Sequence, residues 1–296
     1  MSHSDTGYSD IDYEVEDGRA RITLARPQTH NAITSTMLRE FEEALWEADD
    51  DTSVHCVILR GEGPSFCSGY DLLKLGRPKQ EGHRTGRGHD DDIWLIELNN
   101  RKVRAVWEIH KPVIAQVHGN CLAGGTDLAL VCDMVIAADD ARIGFPAARA
   151  MGALPSNLWM YHCGPQWAKR LQLTGDSLTG ADAAKIGLVM KAVPADELSD
   201  EVEGLADRLC QIDPDLLAAN SRITNLAREL MGAQTLQRLA AENDARAHRS
   251  TAVKEYSRSV RDDGLRETLR RRDEPFGDGY ARVGVPEGRL RGDTPT

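Results

Sequence analysis

The chain has 296 residues, with 36 Lys plus Arg against 47 Asp plus Glu, so 36 minus 47 leaves a formal net charge of -11. Such an acidic sum disfavours nonspecific binding to nucleic acid or to an anionic membrane, both of which depend on positive fields. A composition 41% hydrophobic and 28% charged belongs to a folded globular protein with a substantial core, and excludes disorder of the whole chain.

In chain order, residues 13–16 and 19–24 read as a hairpin about Asp17-Gly18, with Ala20, Ile22 and Leu24 alternating with polar residues. Residues 34–49 have the spacing of an amphipathic helix, with Leu38, Phe41, Leu45 and Ala48 on one face and a Ser/Thr-rich start suited to capping. A buried strand is expected at 54–59, followed by a loop marked by Gly61, Gly63 and Pro64, and 66–75 reads as a loop running into a helix. Residues 76–92 are polar and Gly-rich without apolar periodicity, which predicts a surface loop with His83, Arg84 and Arg87 in solvent. Helical spacing resumes over 93–109, 112–117 reads as a strand, a Gly-rich turn leads into a buried helix at 127–131, and 134–138 is another strand. This alternation argues for an α/β fold with parallel strands.

Beyond Pro155 the pattern is almost wholly helical, over 181–186, 196–212, 216–230 and 236–272. We therefore divide the chain into an α/β core (1–195), a helical C-terminal region (196–274) and an irregular tail (275–296). No stretch approaches the roughly 20 apolar residues of a membrane span, since the best run, 128–138, is interrupted by Asp133. The polar, acidic N-terminal stretch is unlike a secretory signal, so a cytoplasmic protein is expected. Six cysteines without a C-x-x-C pair point to reduced thiols and to no metal site.

The segment from Gly119 through Gly124, Gly125 and Thr126 lies between a strand and a helix, where backbone N–H groups are unpaired and the helix dipole favours an electron-rich ligand. Its spacing nearly matches a phosphate loop, but Gly125 stands where that loop needs a lysine, and it also fails the dinucleotide pattern. A backbone cradle without lysine suits a developing oxyanion. A second Gly-containing turn, Ser65 to Asp71, follows another strand and can bring a further N–H to the same place.

The run FCSGYDLLKL, followed by PVIAQVHGNCLAGGTDLALVCDMVIAADDARIGFPAARAMGALP, resembles the enoyl-CoA hydratase/isomerase (crotonase) superfamily. The likeness begins at ITLARPQTHNAIT, continues through LTGDSLTGADAAKIGLVMKAVP and covers about residues 10–270. It implies a crotonase-like ββα spiral core, a helical C-terminal region for trimerisation, and a homotrimer or a dimer of trimers. It also implies an acyl-CoA thioester as substrate, with coenzyme A entering only as part of that substrate and no separate cofactor. The family's oxyanion hole falls on the backbone N–H groups of Tyr70 and Gly124, and the ring of Tyr70 reads as a pocket wall. The coenzyme cleft falls on Arg26, Ala32, Ser68, Gly69, Asp71, Gly125, Pro146 and Ala147, with Arg26 a candidate phosphate partner.

Of the family's two catalytic glutamates, the first position holds Asp127, the expected acid/base, and the second holds Ala147, which cannot transfer a proton. A dienoyl-CoA isomerase would keep that glutamate and carry an Asp at the position of Pro155, so this chain departs from both patterns. The resemblance implies an enoyl-CoA hydratase first. An enoyl-CoA isomerase, a hydrolase or decarboxylase on the same scaffold, and a catalytically weak acyl-CoA-binding protein are the alternatives. Arg149, Ser156, Asn157 and His162 lie near the missing carboxylate in sequence, Trp159 and Tyr161 are candidates to line or cover the pocket, and His30, His118, Cys121 and Asp133 read as structural.

Overall fold

The computed structural model describes residues 7–72 and 88–286. The anticipated helix end at 73–75 and the loop residues His83, Arg84 and Arg87 lie outside the described residues. Strands β1 (Ile11–Glu16) and β2 (Arg19–Leu24) form the hairpin, and Asp17 (φ 50°) and Gly18 (φ 76°) supply the positive φ pair that a two-residue turn needs. Thr34 caps α1 (Ser35–Asp50) by accepting the Met37 N–H at 3.0 Å, a contact that contributes about 1 kcal/mol. Next come β3 (Cys56–Gly61) and α2 (His89–Val103), which starts earlier than its apolar spacing implies because Asp90, Asp91 and Asp92 favour a helix N-terminus.

The middle of the chain alternates long and short pieces: β4 (Val113–Val117), β5 (Asn120–Leu122), α3 (Gly124–Leu130), β6 (Met134–Ala138) and β7 (Arg142–Gly144). A 3-10 turn at Pro146–Arg149 precedes α4 (Trp159–Thr174), which is kinked at Gly164 and Pro165. Then follow β8 (Ser177–Thr179), α5 (Gly180–Lys185), β9 (Lys191–Val193), α6 (Leu198–Leu209) and α7 (Pro214–Leu230). The helix expected over 236–272 is three helices, α8 (Ala233–Ala247), α9 (Thr251–Asp263) and α10 (Leu265–Asp273). Ser250 caps α9 through the Val253 N–H, and Gly264 at φ 85° breaks the chain before α10.

The larger sheet has the order β1-β2-β3-β4-β6-β9, parallel except at the hairpin. The smaller sheet is β5-β7-β8, and an isolated bridge between Cys67 and Cys121 extends it. From β4 to β7 the chain lays strands alternately on the larger and the smaller sheet, which generates a spiral. The almost wholly helical reading beyond Pro155 is corrected by β8 and β9, three-residue strands too short to show any alternation.

One apolar cluster runs from Ile11 to Ala281 and includes Leu198, Val202 and Ala206 of α6, so this helix packs on the same core as the sheets. It also explains why all of β2 is buried: Arg19 and Arg21 both bond Glu203 of α6, and Arg19 bonds Asp207. The residues after α10 are likewise pinned, since Ser177 donates to Gly279 O and accepts from Ala281 N–H, each at 2.8 Å. Among the described residues no helix is long and apolar enough to cross a membrane.

Candidate active site

Two turns from the spiral meet at the head of a cleft of about 610 Å³. In the first, Ile33 N–H donates to Gly69 O at 2.8 Å and Asp71 N–H to Ile33 O at 2.9 Å. This bridge uses the amides on either side of Tyr70 and leaves the Tyr70 N–H without a partner among the described residues. In the second turn Ala123 adopts φ 49° and ψ -122°, a conformation that costs a non-glycine residue about 1–3 kcal/mol. It is held there because its N–H donates to Gly144 O, while its carbonyl accepts both the N–H and the hydroxyl of Thr126. Trp159, fully buried, donates to that same hydroxyl at 3.3 Å. Gly124 opens α3, and its N–H is one of the first-turn amides that no helical carbonyl can reach.

The two turns touch so closely that glycine is required. A Cβ on Gly124 would lie 2.7 Å from the Tyr70 ring, and one on Gly125 would lie 2.4 Å from Cys67 O. Gly69, at φ 97°, brings its Cα side within reach of Gly124 N. Tyr70 N–H and Gly124 N–H therefore sit on facing, mutually locked turns.

Tyr70, Gly124, Pro146 and Ala147 line the cleft, as do Ala32, Ser68 and Asp71 along the first turn. Gly69, Gly125, Arg26 and Asp127 are not among the residues that line it. The assignment of Arg26 to a coenzyme phosphate is corrected: its guanidinium is buried, bonds Ala32 O, and pairs with Asp71 at 3.0 Å. It positions two lining residues and has no face toward the cleft. Among the described residues, the Lys and Arg side chains that line the cleft are Arg142 and Arg272, of which Arg272 is paired with Asp273.

Asp127 is only 2% exposed. Ser156 donates its hydroxyl to Oδ1, while Oδ2 is buried with no hydrogen-bond partner among the described residues. Burial raises this carboxyl to about 7, against the hydrogen bond from Ser156, which favours the anion. A carboxylate so placed can exchange a proton near neutral pH, the range useful for general acid-base work. Ala147 presents only a methyl group to the cleft.

Ser156, one of the polar residues singled out near Ala147, thus reaches the candidate base. The others serve the fold: Arg149 is buried between Asp176 and Asp273, Asn157 accepts from Gln172, and His162 bonds Leu130 O with burial lowering its pKa. Tyr161 is largely outside the cleft, its hydroxyl donating to Met231 O. Cys121 is buried with its thiol pushed up by burial, so it is no thiolate nucleophile. Asp133 accepts the Val113 N–H and ties β4 to β6. His118 bonds Gly63 O, whereas His30, bonded to Ser65 Oγ at 2.9 Å, lines the cleft.

Sequence reasoning missed the wall built by α2, α8 and α10, which contributes Asp92, Leu95, Asp244, His248, Leu265 and Arg272. A signal existed in α8: Gln237, Ala240, Ala241, Asp244 and Ala245 share its buried face, so Asp244 is an acid at an apolar-face position.

A two-sheet spiral that presents two unpartnered backbone N–H groups on facing turns beside a cleft has the crotonase fold. The chain belongs to the enoyl-CoA hydratase/isomerase family, whose model matches residues 14–279. It superposes on the crystal structure of an enoyl-CoA hydratase from Mycobacterium smegmatis with a TM-score of 0.86, at 34% identity over 92% of this chain and 95% of that one. For an enoyl-CoA hydratase/isomerase from Xanthobacter autotrophicus the TM-score is 0.83, at 36% identity over 90% and 98% of the two chains. A crotonyl-CoA hydratase of Syntrophomonas wolfei is 33% identical over 208 residues, 68% of this chain and 76% of its own.

Proposed function

We propose that this protein is an enoyl-CoA hydratase, adding water across the double bond of a trans-2-enoyl thioester of coenzyme A. The observation that carries the reading is the locked pair of unpartnered N–H groups on Tyr70 and Gly124, together with membership of a family whose relatives are named as hydratases. In this reading both amides bond the thioester oxygen and stabilise the enolate that forms as water adds to Cβ, each contributing about 3–4 kcal/mol to the transition state. Asp127 is the base that takes a proton from the attacking water, acting through Oδ2 while Ser156 holds Oδ1. The acyl chain lies along the apolar wall that includes Ile96, Leu122 and Leu265, and Arg142 is the group we assign to a coenzyme phosphate in place of Arg26. No cofactor beyond the substrate's own coenzyme is invoked, and a cytoplasmic location fits such a substrate.

We further assign a homotrimer. Helix α7 buries no residue within its own chain and leaves Ile223, Leu226 and Leu230 at 63%, 51% and 91% exposure, an apolar face that association would cover.

A one-base isomerisation is the second reading, favoured by the methyl group of Ala147 where the family carries a second acid. Purified protein incubated with trans-2-enoyl-CoA and, separately, with 3-enoyl-CoA distinguishes the two. Hydration yields 3-hydroxyacyl-CoA from the first substrate. Release of 2-enoyl-CoA from the second without hydration would replace the hydratase reading by the isomerase one.

A further inference from the structure

The cleft holds a second set of titratable side chains that neither the oxyanion pair nor Asp127 uses. Helices α2 and α8 pack through Ile93, Ile96, Ala241 and Ala245, and this contact aligns the first turn of α2 with the last turn of α8. His248, at the C-terminal cap of α8, stands between two carboxylates: its Nδ1 bonds Asp92 Oδ2 at 2.9 Å, and its Nε2 is 3.4 Å from Asp244 Oδ1. All three residues line the cleft. The Asp244 side chain is 8% exposed, and its Oδ1 also accepts the Ala153 N–H at 2.8 Å. Its Oδ2 has no hydrogen-bond partner among the described residues.

The position of Asp244 relative to Ala147 gives this cluster its meaning. The carbonyl of Ala147 accepts the N–H of Met151 at 2.8 Å and of Gly152 at 3.3 Å, so residues 147–153 form one compact turn. Asp244 is anchored to the far end of that turn through Ala153. Gly152 is what admits it, because a Cβ there would lie 2.5 Å from Asp244 Oδ1 and 3.1 Å from His248 Nε2. A carboxylate from α8 thus borders the same stretch of cleft from which the side chain at 147 has withdrawn.

We propose that Asp244 is the second proton-transfer group of the active site, standing in for the acid missing at Ala147, with His248 and Asp92 as positioning residues that hold and recharge it. The proposal rests on the hydratase reading above. The oxygen of water bonds Cβ, the alkene pair moves through Cα onto the thioester oxygen, and Asp127 takes one water proton. The enolate then reforms the carbonyl as its Cα takes a proton from Asp244 Oδ2. His248 Nε2 returns a proton to the Asp244 carboxylate, and exchange with solvent removes the proton on Asp127 and restores the one on His248. No other reactant is needed.

The charged and titratable groups around Asp244 are His248 on its own helix, Asp92 on α2, Asp127 on α3 and Tyr70. The Arg272–Asp273 pair on α10 lines the same cleft. Burial raises Asp244 to about 6, with His248 and the Ala153 N–H opposing. Burial alone would lower His248, but its bond to Asp92 and the charge of Asp244 raise it overall. A proton is therefore retained on this pair toward neutral pH.

The test uses the full-length enzyme with trans-2-enoyl-CoA, comparing wild type, Asp244→Asn, His248→Gln and the double variant Ala147→Glu/Asp244→Asn. Asp244→Asn is expected to lower kcat about 100-fold or more, with KM changed less than about threefold. The fall in wild-type kcat as pH rises through the titration of the pair should be absent from what activity remains. His248→Gln, which removes a charge that opposes the raised pKa of Asp244, should move that limb to higher pH, and the double variant should regain at least about tenfold over Asp244→Asn. Wild-type hydration with kcat of Asp244→Asn within about threefold, or an unmoved pH profile in both single variants, would overturn the proposal while leaving the hydratase reading intact. If Asp244→Asn fails to fold, Gly152→Ala, which crowds the carboxylate without removing it, must show the same loss of kcat. Absence of hydration by the wild type would instead remove the reading on which the proposal stands.

Discussion

Replacing Asp127 by Asn isolates one buried titration. The folded chain holds this carboxyl at about 7, chiefly through burial, against an ordinary value of 3.8. A raised carboxyl pKa means that the folded state keeps a proton which the unfolded chain has released. The associated stability is complete below about pH 4, and it is lost as the pH rises to about 7. A gap of that size amounts to on the order of 4 kcal/mol above neutrality, of which about 1.5 kcal/mol is already lost at about pH 5. The Asn side chain does not titrate, while every other group remains in both proteins. The stability of Asp127→Asn relative to wild type should therefore grow by about 2–3 kcal/mol between about pH 5 and about pH 8. Urea unfolding followed by circular dichroism, at one protein concentration and with equal slopes for the two proteins, measures this difference directly. Parallel stability curves across that range would refute the buried, proton-retaining carboxylate.

Other outcomes follow from the same geometry. Gly124→Ala drives a methyl into the Tyr70 ring and separates the two amides, so hydration should drop about 100- to 1,000-fold in steady-state assays while coenzyme A still binds by calorimetry. Ser156→Ala removes the hydroxyl that holds the Asp127 pKa down, and the rising limb of the kcat/KM profile should move to higher pH. Arg149→Met deletes a buried cation that pairs with Asp176 and Asp273 and lies 3.9 Å over Phe276, which should lower unfolding stability by about 3 kcal/mol. Light scattering should give three times the mass of the chain, and Leu230→Glu on the apolar face of α7 should lower it.

How far the sequence carries can be judged residue by residue. Long periodic stretches translate well: the hairpin about Asp17-Gly18, the capped helix after Thr34 and the strand at Met134–Ala138 need only local pattern and turn chemistry. The three-residue strands β5, β7, β8 and β9 do not, because their pairing is set by the spiral and by nothing within three residues. The glycines of the site announce themselves through the need for close backbone approach, at Gly124 and Gly125 above all. Arg26 misleads for the opposite reason: a guanidinium serves a ligand phosphate and a buried carbonyl equally well, and only the partners Ala32 and Asp71 decide between them. Asp244 and His248, more than 100 residues from the glycine turns, meet the cleft only because α8 packs across α2. That contact is written in a face of alanines whose one acid looks like a surface residue until the helix is folded.

The proposed reaction is a water addition guided by the Tyr70 and Gly124 amides. The most direct test incubates purified wild-type enzyme with a trans-2-enoyl-CoA in water enriched in heavy oxygen and follows the product by mass spectrometry. The expected product is a 3-hydroxyacyl-CoA carrying one heavy oxygen on Cβ and an intact thioester, formed at least about 100-fold more slowly by Gly124→Ala. Heavy oxygen in a released carboxylic acid with free coenzyme A, or tight binding without any incorporation, would contradict it.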